Sequence, residues 1–164
     1  MKKILLLGMA ISPILIGLLF NSFVGYLEFI GIIFSLLMII YWFWVGTNFA
    51  EQIKNPVKAI LLANSAGLIS LVLFLWQFVL VSDEDRNLIL AALSQMFSAP
   101  LSFLSARIAI LFTPDGINQK TLLVMQVVGL IIMILVFSAG YVYKSMRQSR
   151  KASNKDLVEC EKSD

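Results

Sequence analysis

The chain has 164 residues, 59% of them hydrophobic and only 14% charged, with a net charge of +3 and no histidine. A soluble domain of this size has no polar surface to spare for several apolar runs, each near the roughly 20 residues that cross a bilayer as helix, so the composition specifies a multi-pass membrane protein. The runs are helix-length rather than alternating segments of about ten residues, which excludes an outer-membrane barrel, and without histidine the commonest general base and transition-metal ligand are missing.

The first predicted helix covers about residues 4–20. Lys2 and Lys3 precede it, as in a signal peptide, but the run is long, carries Pro13 in its middle and is followed by no small-x-small cleavage site in Asn21-Ser22-Phe23-Val24-Gly25. It is expected to stay as a signal anchor. The second helix, about 29–45, ends in Tyr41-Trp42-Phe43-Trp44, an aromatic cluster expected at a membrane interface. A polar stretch over 46–58 follows, in which Asn55-Pro56 is a turn and helix-start signal.

The third helix, about 57–81, gathers Ala59, Ala63, Ala66, Gly67, Ser70 and Gln77 on one face, with mostly Leu, Ile, Val and Phe elsewhere. Small residues four apart let another backbone approach closely, so Ala59, Ala63, Gly67 and Ser70 are candidate packing residues, and Gln77 a candidate functional polar residue. The acidic run Ser82-Asp83-Glu84-Asp85 offers one carboxylate cluster, where calcium needs six to eight oxygens from alternating positions. It is read instead as a helix start, with Ser82 as N-cap and Asp85 at the capping-box position.

The fourth segment, 88–112, differs from the others. Ser94, Ser98, Ser102 and Ser105 recur at spacings that place them on one face of a continuous helix, with Gln95 at its border. Pro100 stands at the centre, where it removes a hydrogen-bond donor and disfavours helix at Ala99. Arg107 lies in the second half, and a charge deep in hydrocarbon costs about 2.5–3.5 kcal/mol on insertion scales, so it needs a partner, water or a headgroup. These serines, Gln95 and Arg107 are the candidate functional residues.

The last helix, about 121–143, holds Gln126 and Gly129 one turn apart, and is followed by a polar tail over 144–164 that is basic near the membrane and acidic at its end. Charges beside the runs set topology rather than bind nucleic acid. Lys2, Lys3, Lys54, Lys58 and the cluster Lys144, Arg147, Arg150, Lys151 and Lys155 all belong inside by the positive-inside rule. That requires an even number of crossings, although the apolar runs number five. Two arrangements remain: segment 88–112 re-enters as two half-helices hinged at Ser98-Ala99-Pro100, returning Arg107 and Thr113-Pro114-Asp115-Gly116 to the outer surface, or it is a kinked fifth span with the tail outside. The charges favour the first.

The expected fold is therefore an all-α polytopic bundle of four transmembrane helices plus a Pro-broken re-entrant or fifth segment, with one domain over 1–143 and the tail. The expected location is the cell membrane, of bacterial cytoplasmic type, with both termini inside. No catalytic, cofactor or metal motif is present: the lysines lie at segment ends, and the single Cys160 lies in the tail. Ser94, Ser98 and Arg107 could pair only as nucleophile and anion stabiliser. The expected role is a non-catalytic interaction, accessory or immunity-type protein, docking on a membrane protein partner or a second copy, with anionic lipid at the basic tail. The alternative is a small permease or channel whose polar path is lined by the serine face of 94–105, Gln95, Gln77 and Arg107.

Overall fold

A computed structural model describes residues 2–23, 28–82, 84–112 and 118–161, and side chains over a slightly narrower set that ends at 151. The described residues form helices and no strands. α1 spans Lys2–Phe23, α2 Glu28–Gln52, α3 Pro56–Leu75 with a π-helical continuation Trp76–Leu80, α4 Leu88–Met96, α5 Ser102–Phe112 and α6 Gln119–Glu161, with a 3₁₀ turn Ala99–Leu101 between α4 and α5. α1, α2, α3 and α6 are long and apolar enough to cross a membrane, and α4 with α5 forms a further apolar pair bent by 60°.

Local chemistry explains most boundaries. Asn55 caps α3 by accepting from the Lys58 N–H, and Pro56 follows at the first helical position, where its missing N–H costs nothing. Pro13 stays inside α1, and the Met9 carbonyl four residues back takes a hydrogen bond from the Ser12 hydroxyl at 2.7 Å. α2 continues to Gln52 rather than ending near 45, with Thr47 and Asn48 both donating to the Trp44 carbonyl. The start of α4 differs from the expectation. Its N-cap is Asn87, accepting from Ile89 and Leu90, while Ser82 and Asp85 close a turn on themselves five residues earlier. Asp83 and residues 113–117 lie outside the described residues.

Two further expectations are corrected. Trp42 is not at an interface: because α2 runs on for ten more residues, it is fully buried between Phe97 and Phe137, while Trp44 is half exposed. α6 does not end near 143; it continues as helix to Glu161, where no breaker intervenes, and extends about 26 Å beyond Lys144.

Contacts give the direction of every helix. α1 and α2 are antiparallel, with Phe20 against Phe34 and the Ser12 and Tyr41 hydroxyls 2.8 Å apart. α6 runs parallel to α2: Trp42 meets Phe137, and farther along, Glu51 pairs with Lys144 and the Tyr141 hydroxyl donates to the carbonyls of Ile53 and Lys54. α3 is antiparallel to both, so α6 begins at the end of the bundle where α3 finishes.

Segment 88–112 therefore enters and leaves at the same end. Moving along α4, Ser94 meets Ser70 and Phe97 meets Gly67, deeper in the bundle; beyond the turn, Pro100 meets Ser35 and Phe103 meets Gly31, back toward the entry. The four long helices alternate in direction and the Pro-broken segment is an elbow between them that opens toward one end of the bundle.

Each long helix yields a glycine to this elbow. A Cβ at Gly17 would collide with the Met96 carbonyl, at Gly31 with the Phe103 ring and at Gly67 with Phe97 and Leu130, and at Gly129 it would press on Ser98. Gly46 and Gly140 do the same where α2 crosses α6, against the backbone of Phe137 and Phe43. Such close approach is how helices associate where lipid removes the hydrophobic drive. Gly17→Val and Gly140→Ala should each destabilise the fold by about 1–3 kcal/mol through overpacking against backbone. Gly8→Ala, which meets nothing within 4 Å, should be neutral or stabilising by up to about 1 kcal/mol. Reversible unfolding in mixed micelles measures the contrast, and equal effects at the three positions would contradict this packing.

Candidate functional site

The break at Ser98-Ala99-Pro100 frees backbone carbonyls inside an apolar bundle, where each unpaired polar group costs several kcal/mol in principle. Side chains from three other helices cover them. Ser70 on α3 donates to the Ser94 carbonyl at 2.7 Å, and the Gln126 amide on α6 donates to the same carbonyl at 3.3 Å. Ser35 on α2 donates to the Pro100 carbonyl at 2.8 Å. The Ser98 hydroxyl in turn donates to the Gln126 Oε1, tying elbow to α6. Ser35, Ser70, Ser94, Ser98 and Gln126 are all buried.

Above this latch, on the side where the elbow opens, lies a cavity of about 250 Å³. Gln95, Ser98, Ser102 and Ser105 form its polar wall, the end of α1 contributes Phe20 and Asn21, and the first turns of α6 contribute Leu122, Met125 and Gln126. Among the described residues, no Lys, Arg, Asp or Glu lines it. Ser105 returns its hydroxyl to the Ser102 carbonyl, and the Gln95 amide donates to the Ala91 carbonyl. The Ser102 hydroxyl, the Gln95 Oε1 and the Asn21 amide have no protein partner among the described residues.

Deeper in the bundle than the latch, rings pack on one another. Phe97 packs edge-on against Trp42, which meets Phe137, which meets Phe49, and all four are essentially inaccessible. The indole N–H of Trp42 and the Oδ1 of nearby-level Asn64 in α3 are buried without a protein partner, a cost of about 1–3 kcal/mol for each.

The candidate residues thus separate. Gln95, Ser98, Ser102 and Ser105 come together on the cavity; Ser94 lies just behind it, its hydroxyl returned to the Ala91 carbonyl. Arg107 is exposed on α5 and is not among the cavity residues, so it is not assembled with the serines into a path or a nucleophile site. Gln77 braces the entry to α4: its Oε1 accepts from the Asn87 N–H and its carbonyl from the Arg86 guanidinium, which also lies 4.5 Å over the Phe78 ring. Ala59, Ala63, Gly67 and Ser70 are buried within the chain's own bundle, Gly67 against Phe97 and Leu130 and Ser70 against the Ser94 carbonyl.

Ser35 and Gln126 are the residues of the latch that pattern reading undervalued. Their signal was a lone polar side chain at mid-helix in an otherwise apolar run, which lipid tolerates only where a partner is waiting.

Gln126→Leu removes both the Ser98 acceptor and a donor to the Ser94 carbonyl, and should cost about 1–3 kcal/mol of stability. Ser94→Ala deletes a hydroxyl bonded only within its own helix and should cost about 0.5 kcal/mol or less. Unfolding of the two variants in detergent under identical conditions tests the latch, which an equal ranking or the reverse would refute.

Set against protein-family models, curated proteins and solved structures, the chain matches none.

Proposed function

We propose that this chain is a non-catalytic integral membrane protein that acts by contact, as an accessory or regulatory subunit or an immunity-type protein, rather than as a conduit. The observation that carries this reading is the packing deeper than the latch: Phe97, Trp42, Phe137 and Phe49, all essentially inaccessible, fill the bundle beyond the cavity that Gln95, Ser98, Ser102 and Ser105 line. A permeation path needs a wettable route through the membrane, with sites weak enough to leave. Arg107, the one charge in the segment, faces outward from α5 instead.

In this reading the protein sits in a cell membrane with both termini on the cytoplasmic side. Of the Lys and Arg residues on described backbone, only Arg86, Arg107 and Lys120 belong to the end where the elbow enters; the rest, from Lys2 and Lys3 to the α6 extension, belong to the opposite end. Lys/Arg excess marks the cytoplasmic side. The continuous α6, exposing Arg147, Arg150 and Lys151 beyond the bundle, is the element that meets a partner or anionic lipid there.

Two measurements test this. The single cysteine, Cys160, should be protected from a membrane-impermeant thiol reagent in intact cells and labelled after permeabilisation; labelling in intact cells would reverse the orientation. Purified protein in liposomes should leave ion and small-solute flux at the level of empty vesicles. Flux that rises with protein and is lost on Ser98→Leu would replace contact by transport as the function.

A further inference from the structure

The cavity above the elbow has features that a mere packing defect lacks. Its unsatisfied groups are of one kind: a hydroxyl on Ser102, an amide oxygen on Gln95 and an amide on Asn21, each neutral and each able to exchange hydrogen bonds with a hydroxylated molecule. A charged ligand finds no counter-charge among the described lining residues, and burying it unpaired would be prohibitive. An alkyl chain would desolvate these three groups and leave them unpaired. The volume, about 250 Å³, falls just below the roughly 300–1,000 Å³ of sites for drug-sized molecules, so the occupant is small. Phe20, Leu122 and Met125 supply the apolar wall against which a ring face or a glyceride stem rests.

Position restricts the source. The cavity lies between the end of α1 and the first two turns of α6, at the end of the bundle away from the α6 extension, and so at the level where a bilayer passes from hydrocarbon to headgroups. Molecules reach it from the lipid headgroup layer or from the water beyond.

We propose that this cavity binds an uncharged polyhydroxy group of about monosaccharide size, carried either by the headgroup of a neutral glycolipid or by a free sugar, with Gln95, Ser102 and Asn21 as its hydrogen-bonding residues.

The test uses the full chain in phosphatidylcholine nanodiscs, with glucosyl-diacylglycerol followed by native mass spectrometry and tritiated glucose by scintillation proximity. Saturable binding of either probe, weakened roughly 5–10-fold by Gln95→Leu or Ser102→Val, is expected, since each change removes one neutral hydrogen bond. Binding of the lipid alone assigns the glycolipid source, and binding of free glucose assigns the soluble one. Ala92→Phe, a bulky residue added at an exposed rim position, should abolish binding while leaving the thermal transition in place, and so decides the matter if the polar variants fold poorly. Absence of saturable binding by both probes, or binding unchanged in Gln95→Leu, Ser102→Val and Ala92→Phe, overturns the proposal.

Discussion

A carbonyl freed from its helix inside a membrane must be hydrogen-bonded by protein, and this structure is arranged around that constraint. Pro100 breaks the fourth apolar segment near its midpoint, and the carbonyls of Ser94 and Pro100 fall to Ser70, Gln126 and Ser35 from three separate helices. Because those three residues must converge on one turn, the depth and rotation of α2, α3 and α6 are set relative to the elbow. The bundle is organised from its polar centre outward.

The glycines complete the same arrangement. Gly17, Gly31, Gly67 and Gly129 sit where the elbow presses on α1, α2, α3 and α6, so backbone and short side chains come near enough for bonds of ordinary length. The aromatic rings below then fill the bundle beyond the latch. One architecture thereby produces two unlike halves: a packed apolar half carrying the crossed pair α2 and α6, and an open half with a neutral, hydrogen-bonding cavity. The functional proposals divide along that boundary, contact at the basic end and recognition of a hydroxylated ligand at the other.

Much of this was legible from residues alone. Apolar run length gave the four long helices, since hydrocarbon thickness fixes helix length. Pro100 announced the break, and Asn55-Pro56 announced the start of α3, because each acts through its own local backbone. Charge counting favoured an even number of crossings, and α6 does run parallel to α2. The aromatic cluster misled: Trp42 was assigned to an interface by its type, yet it lies ten residues before the end of α2 and is wholly buried. Arg107 drew attention as a charge in an apolar run, although it faces away from the serines it was grouped with.

What the sequence by itself determined was therefore what depends on one segment at a time: helical class, the long apolar spans and the break at Pro100, all of which follow from how a single stretch of chain meets water or lipid. Which polar residues share a site was decided only by tertiary structure. Ser35, Ser70, Ser98 and Gln126 stand far apart in the chain, and nothing in their individual patterns distinguishes a side chain that satisfies its own helix from one that reaches a carbonyl in another. That choice belongs to the broken turn, whose bonding requirement exists only once the helices are packed around it.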